Sequence, residues 1–272
     1  MSDIAVSRHP LWWLHPAAVP KRLRGWVIPA LLLLLWWAAF RFNWSDSALL
    51  VPISKVWQTA ERLSSSGELW TALYASLRRD LAGFAIGTLV GLLVGAALGL
   101  SRLLEGLVGP TLNTLKQISL FAWIPLISMW FGLGDAAKVA FLSLAAFFPV
   151  VLNTFEGIRS VPPELIEAAR VFGYRRDQIL RRVVLPAALP SIFTGVYLAL
   201  IYAWLATLGA EYLLTSGAGI GNLLTDGREH FWMDYVLLGI VIVGLVGFAL
   251  NWIASRFEAR LLRWRGHSTA QF

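Results

Sequence analysis

Six apolar stretches, divided by short polar or glycine-bearing joints, make up most of this chain. The first, Trp26–Phe40, follows Lys21, Arg22 and Arg24. A mixed region comes next: Val51-Pro52 opens an amphipathic helical stretch, and Ser64-Ser65-Ser66-Gly67 breaks it. The second stretch carries Gly83, Gly87, Gly91, Gly95 and Gly99, and the spacing of four sets them in a row on one helix face. Small residues in such a row let another backbone approach closely, and we expect that partner within the same chain. The third, Gly106–Phe131, is less ordinary, with Pro110 and Pro125 enclosing Asn113, Lys116, Gln117 and Ser119. Proline removes a backbone donor, and a central Lys costs roughly 2.5–3.5 kcal/mol on insertion scales, so this segment must face protein or a wet cavity. After the turn Gly132-Leu133-Gly134-Asp135 come Ala136–Phe155, Ser191–Leu214 and Tyr235–Ala254. Each approaches the ~20 apolar residues that a helix needs to cross a bilayer, the first being short. The expectation is an all-α membrane protein of about six transmembrane helices.

Composition agrees: of 272 residues, 57% are hydrophobic and 14% charged, too little polar surface for a soluble domain of this length. The organisation expected is a polar segment over 1–25, a first span with an external amphipathic segment over 26–75, a core over 76–257, and a tail over 258–272. A secretory signal is the rival reading of Trp26–Phe40. The run is bulky, has no small-x-small cleavage site after it and precedes further spans, so a retained anchor is expected.

Lys and Arg number 23 against 16 Asp and Glu, a net charge of +7. With no basic patch apart from the apolar segments, this excess points to membrane orientation rather than nucleic acid. If the amino terminus is inside, Arg8, Lys21, Arg22, Arg24, Arg102, Arg159, Arg170, Arg175, Arg176, Arg181, Arg182, Arg256, Arg260, Arg263 and Arg265 fall on the inner side. Arg41, Lys55, Arg62, Arg78, Arg79, Lys138 and Arg228 fall outside, an asymmetry that favours both termini in the cytoplasm. Cysteine is absent, and His9, His15, His230 and His267 form no ligand pair, so no metal site is expected.

The only long polar inner loop, 159–186, reads as two short helices with a hinge. Pro162-Pro163 can open the first, Glu164, Glu167 and Arg170 line one face, and Gly173 suits a left-handed cap. Leu185-Pro186 is expected to end the second piece. Two readings of the residues stay open: a knob docking into a partner's groove, or a helix pair lying on lipid headgroups.

Glu167-Ala168-Ala169, three residues, Gly173, nine residues and Val183-x-Leu185-Pro186 resemble the loop signature of membrane subunits of binding-protein-dependent ABC importers, with Val for the usual Ile. Trp123-Ile-Pro-Leu-Ile-Ser-Met-Trp-Phe-Gly-Leu-Gly-Asp135, Phe148-Pro-Val-Val-Leu-Asn-Thr154, Gly157-Ile-Arg159, Leu185-Pro-Ala-Ala-Leu-Pro190, Ala210-Glu211 and Gly219-Ile-Gly221 resemble the sulfonate, taurine and nitrate branch. The likeness runs from about Ser76 to Arg265. One departure is Gln117-Ile-Ser-Leu-Phe-Ala-Trp123, where the branch usually has prolines.

The resemblance implies a type I importer permease in which 159–186 is the coupling loop seated in an ATP-binding subunit. Glu167 would make the polar contact, Ala168 and Ala169 would permit close approach, and Gly173 would permit the bend. Glu164, Arg170, Leu185 and Pro186 complete the candidate coupling residues. It also implies a homodimer, two ATPase subunits holding ATP and Mg, and an extracellular or periplasmic binding protein, the whole in a bacterial inner membrane. This chain would supply no cofactor site or chemistry. Aliphatic sulfonate is the first expectation for substrate, followed by taurine or nitrate.

Candidate pathway residues are Asn113, Lys116, Gln117, Ser119, Trp123 and Glu211. Lys116 could attract an anion in transit, but structural pairing is the preferred expectation. Glu211 suits either a gate or a structural hydrogen bond. Ser216-Gly-Ala-Gly-Ile-Gly221 lacks the Lys-Ser/Thr of a phosphate loop, so an outer loop or turn is expected. A proton-coupled carrier would want buried carboxylates near the midplane, for which Glu211 is the one candidate seen. An intramembrane enzyme would need a nucleophile–base pair or metal cluster, and none can be assembled. Arg256–Arg265 reads as a cytoplasmic membrane anchor.

Overall fold

A computed structural model describes residues 27, 28, 30, 31, 34–38 and 51–261 other than 215. The chain divides into two compact units, Met1–Lys55 and Val56–Phe272. In the first, the described residues between 27 and 38 are helical, and Trp36 Nε1 donates to Val51 O at 3.2 Å. The rest of the first apolar run and the terminal tail from 262 lie outside the described residues.

From Ile53 the elements are α1 (Ile53–Ser65), α2 (Glu68–Leu100), α3 (Arg102–Leu115), a 3-10 turn (Leu120–Trp123), α4 (Ile124–Phe131) and α5 (Asp135–Arg159). They continue as α6 (Pro163–Val171), α7 (Arg176–Ile179), a π turn (Leu180–Val184), α8 (Leu185–Leu213), α9 (Ile220–Glu229) and α10 (Met233–Leu261). Among the described residues four helical stretches are long and apolar enough to cross a membrane: Glu68–Leu100, Asp135–Arg159, Arg176–Leu213 and Met233–Arg260.

The glycine row decides how these helices meet. All five glycines of α2 are buried against α5 of the same chain. A Cβ added at Gly91 would lie 2.8 Å from Val150 Cβ, at Gly95 2.6 Å from Val151 O, and at Gly99 2.8 Å from Ile158 Cβ. The two backbones are therefore closer than any side chain permits, and dispersion and Cα–H···O contacts can act along the whole seam. Helix α8 packs on α5 beside α2, again through small residues. A Cβ at Gly195 would meet Asn153 Cβ at 2.6 Å, and Ala199 and Ala203 share a buried cluster with Ala146 and Val150. Helix α5 is thus the axle of the bundle.

The third apolar stretch is not one helix, contrary to the sequence expectation. Pro110 is accommodated inside α3, but the chain leaves helical geometry after Leu115, makes the 3-10 turn and restarts as α4 with Pro125 in its first turn. A proline is tolerated at a helix start because its missing donor is unneeded there. The polar residues Lys116 to Ser119 occupy the gap and are exposed.

The fifth span also begins earlier than expected. Leu185-Pro186 does not end a helix: Arg176–Leu213 runs through it as a 38-residue stretch. The Leu185 N–H reaches back to Leu180 O, five residues away, and this widened turn makes room for the proline ring just beyond it.

Candidate functional site

Three regions of the second unit carry polar or exposed chemistry, and they lie at different levels along α5.

At its amino-terminal end sits a buried ionic cluster. Arg79 is only 3% exposed; its Nε donates to Asp135 Oδ1 at 2.7 Å and its NH1 to Glu211 Oε1 at 2.5 Å. A third Arg79 donor reaches the Ala218 carbonyl, and Arg78 pairs with the other oxygen of Asp135. Glu211, 1% exposed, also accepts from Ser76 Oγ at 2.8 Å and from Gly221 N at 2.8 Å. Lys138 Nζ donates to Ser216 O at 2.6 Å, Ile220 N donates to Ser76 Oγ at 3.0 Å, and Ser216 Oγ donates to Leu133 O. A planar guanidinium with several donors in a fixed fork suits such a multi-acceptor position better than an ammonium would.

This cluster clamps the 216–221 loop onto the ends of α2, α5 and α8. Its glycines have a steric cause: a Cβ at Gly219 would stand 2.6 Å from Glu211 Cδ, and Gly217 has φ +85°. Of the two readings of Glu211, the geometry is that of a structural partner. Arg79 and Lys138, counted in the sequence among external loop cations, are in fact buried here. Sequence reading missed the cluster, although its signal was present: Arg79 continues the glycine row of α2 by the same four-residue step, and Asp80 and Ser76, three and seven residues before Gly83, share the buried face. Asp80 is a second buried carboxylate that the sequence reading did not single out. Its Oδ1 accepts from Thr207 Oγ1 at 3.2 Å, while its Oδ2 has no partner.

Beside the middle and the carboxyl-terminal half of α5 lie two cavities joined at Lys116. One, of about 420 Å³, is lined by Lys116, Phe121, Trp123, Leu144, Phe148, Tyr202 and Leu205 among others. The other, of about 360 Å³ and nearer the end of α5, is lined by Asn113, Lys116, Glu105, Glu156 and Phe155 among others. The expected structural pairing of Lys116 is not found: it makes no ion pair or side-chain hydrogen bond among the described residues. The broken segment holds it between two hollows instead of against a helix face. Lys116 lines both cavities, Asn113 only the second and Trp123 only the first, and Gln117 and Ser119 are exposed in the adjoining turn. Glu211 belongs elsewhere, in the clamp.

At the carboxyl-terminal end of α5 the chain forms a compact knob. Ile158, Val161, Ala169, Ile179, Val184 and Ala188 make its small core. Pro163 begins α6, and Gly173 closes it with φ +76°. Tyr174 N bonds to Ala169 O at 3.0 Å and Gly173 N to Arg170 O at 2.9 Å, the paired bonds of a Schellman cap. The Arg175 N–H is taken by Gln178 Oε1 at 2.9 Å, which starts α7. Glu164, Glu167, Ala168, Arg170 and Gly173 are exposed on the knob, and Leu185 and Pro186 are exposed where it joins α8. Ala169 is not: it is buried in the knob's own core, so its small size serves internal packing rather than approach by a partner. Val171 and Phe172, which the sequence places on the apolar side of the first knob helix and not among the coupling residues, are 86% and 81% exposed. Two large apolar side chains at a capped helix end, held out by a rigid turn, are what a protein-binding surface presents. Among the described residues no group of three His, Cys, Asp or Glu could hold a metal ion.

Comparison with known proteins agrees with this architecture. The chain is 37% identical over 243 residues to SsuC of Escherichia coli (strain K12), named as an aliphatic sulfonates transport permease, covering 89% of this chain and 92% of that protein. It is 35% identical over 243 residues to SsuC of Bacillus subtilis (strain 168), similarly named, covering 89% of this chain and 88% of that one. A crystal structure of an amino acid ABC transporter superposes with a TM-score of 0.62 at 19% identity, over 74% of this chain and 97% of that one, and so shares the fold. Residues 87–263 match the family described as binding-protein-dependent transport system inner membrane component. On that match and those full-length likenesses, this multi-pass membrane chain belongs to the permease family of ABC importers, in its sulfonate, taurine and nitrate branch, with the type I fold.

Proposed function

We propose that this chain is the membrane pathway of an ATP-driven importer for a small organic anion, with aliphatic sulfonate as the first candidate. Taurine and nitrate follow from the same branch resemblance. The observation that carries the reading is the exposed, internally cored knob of α6 and α7, with Val171 and Phe172 presented at its cap. In this reading the knob seats in a cytosolic ATP-binding subunit. Closure of two such subunits around ATP moves the knobs of a permease homodimer, and α5 and α8 carry that motion into the bundle. ATP and Mg are held by the ATPase partner. A soluble binding protein delivers substrate on the opposite side, at the periplasmic or outer face of a bacterial inner membrane. Both termini are cytoplasmic. The burial of Arg79 and Lys138 supports this orientation, because it leaves fewer free cations on the outer loops to compete with the basic inner side.

The candidate coupling residues are Glu164, Glu167, Ala168, Arg170, Gly173, Leu185 and Pro186, now with Val171 and Phe172. The clamp around Glu211 speaks against a proton-coupled carrier working through that carboxylate, since Arg79, Ser76 and Gly221 already occupy its oxygens.

Uptake of aliphatic sulfonates, taurine and nitrate by cells carrying the whole transport system tests the reading. Inactivating the partner ATPase should abolish uptake, and Glu167→Arg should uncouple it. Uptake that persists without ATPase activity would overturn the proposal.

A further inference from the structure

We propose that the 420 Å³ cavity beside the middle of α5 is an anion subsite within the translocation path. In it Lys116 and the Trp123 indole N–H hold the charged head of a small amphiphilic anion, and Leu144, Phe148 and Leu205 receive its apolar tail. The proposal rests on the transport reading above and adds to it a place where the permease itself touches substrate.

Four observations converge on this cavity. Trp123 Nε1 is buried with no hydrogen-bond partner, and it belongs to a residue that lines the hollow. A buried donor left unmade is unfavourable; Nε1 is closed off from the cavity as the ring stands, and a turn of the indole towards it would let an acceptor there satisfy the donor. Lys116 lines the same space and has no carboxylate partner among the described residues, so its charge is not neutralised within the fold. Tyr202, half exposed, is a further residue of the wall. The remainder of the lining is aliphatic or aromatic, and a volume of about 420 Å³ falls within the ~300–1,000 Å³ range of small-ligand pockets.

The neighbouring cavity is the natural control. It shares Lys116, but Glu105 and Glu156 line it as well. Glu105 there is paired with Arg159, but Glu156 adds a second carboxylate, whereas no Asp or Glu lines the first cavity. The same lysine therefore lines a hollow free of carboxylates beside the middle of α5 and a more acidic one nearer the knob. The ligand class that fits is a monoanion with a compact oxyanion head and a short alkyl tail. Binding must be weak, because a subsite that held its ligand tightly would stop conduction.

The test uses the purified complex of permease and ATPase subunits, without nucleotide and without binding protein. The probe is radiolabelled 1-butanesulfonate, with 1-butanol as a neutral competitor sharing its tail. The wild-type complex should bind the probe at millimolar concentration, and excess unlabelled butanesulfonate should displace it. Lys116→Gln should weaken binding about tenfold or more, and Trp123→Phe, which keeps the ring and removes the N–H, about threefold. Lys116→Arg should retain most of the binding, and Arg102→Gln should match wild type. Co-purification of the ATPase with each variant reports that it has folded. No displaceable binding to the wild-type complex, or equal binding by wild type, Lys116→Gln and Trp123→Phe, overturns the subsite. A wild-type complex that, supplied with its binding protein and ATP, imports no anion overturns the transport reading instead. Import of butanesulfonate with unaltered binding by both variants leaves that reading standing and removes the subsite alone.

Discussion

The two ends of α5 are built in opposite ways. At Asp135 the chain is sealed: Arg79, Glu211, Asp135 and Lys138 are tied to one another or to the loop carbonyls, and the glycines of 216–221 fit around Glu211. At Arg159 it is open: α6 and α7 close a small core and then turn Val171 and Phe172 outward. The first arrangement completes its contacts within the chain. The second leaves apolar surface that only another molecule can cover. One long helix thus joins an end whose polar groups are satisfied within the chain to an end that presents uncovered apolar surface. A rigid strut of this kind can convey a push at the knob to the pathway beside its middle.

Removing half of the buried pair should give the largest effect. Arg79→Ala leaves the buried Glu211 carboxylate without its cation, a loss of roughly 3–5 kcal/mol, and Glu211→Ala leaves the buried Arg79 only Asp135, which Arg78 shares, a smaller loss. Both variants should unfold at much lower temperature in detergent, or fail to accumulate in the membrane. If either is as stable as wild type, the sealed end is not sealed. At the open end the expectation inverts. Phe172→Asp should leave thermal unfolding within about 0.5 kcal/mol of wild type, as for exposed positions. It should nevertheless weaken ATPase association by roughly thirtyfold, the scale of a truncated interface anchor, as read by co-purification across detergent-solubilised titrations. The seam joining the two ends should respond between these limits. Gly95→Val forces a branched side chain against Val151 O and Thr154, and a loss of roughly 1–3 kcal/mol in stability is expected from melting curves. Gly173→Ala should have the smallest effect, about 1 kcal/mol from a left-handed alanine, confined to the knob. Hydrogen exchange should then quicken at Phe172 to Tyr174 and remain unchanged along α2 and α5.

Much of the fold was legible because glycine and proline act locally. The four-residue glycine step announced a close helix contact, and the knob's Pro163 and Gly173 mark its first helix as the structure has it. Features set by distant residues were not legible. Arg79 and Glu211 are 132 positions apart, and nothing local distinguishes a buried arginine from an orienting one. The same holds for Ala169, whose small side chain suits a partner's approach as well as it suits an internal core. Pro186 shows the limit of reading proline as a stop: it follows a π turn that lets a long helix continue. Lys116 was visible as an odd residue in an apolar stretch, but its lack of a partner emerged only when the broken segment was placed against α5 and α8.

Because the sequence contains no cysteine, a single thiol can be introduced at the knob without background. The decisive measurement is labelling of Phe172→Cys by a membrane-impermeant maleimide. In inside-out vesicles lacking the ATPase subunit the thiol should react readily, and addition of that subunit should protect it. Reaction from the outer face of intact cells, or labelling indifferent to the ATPase, would contradict the assignment of this knob as the point where work enters the membrane.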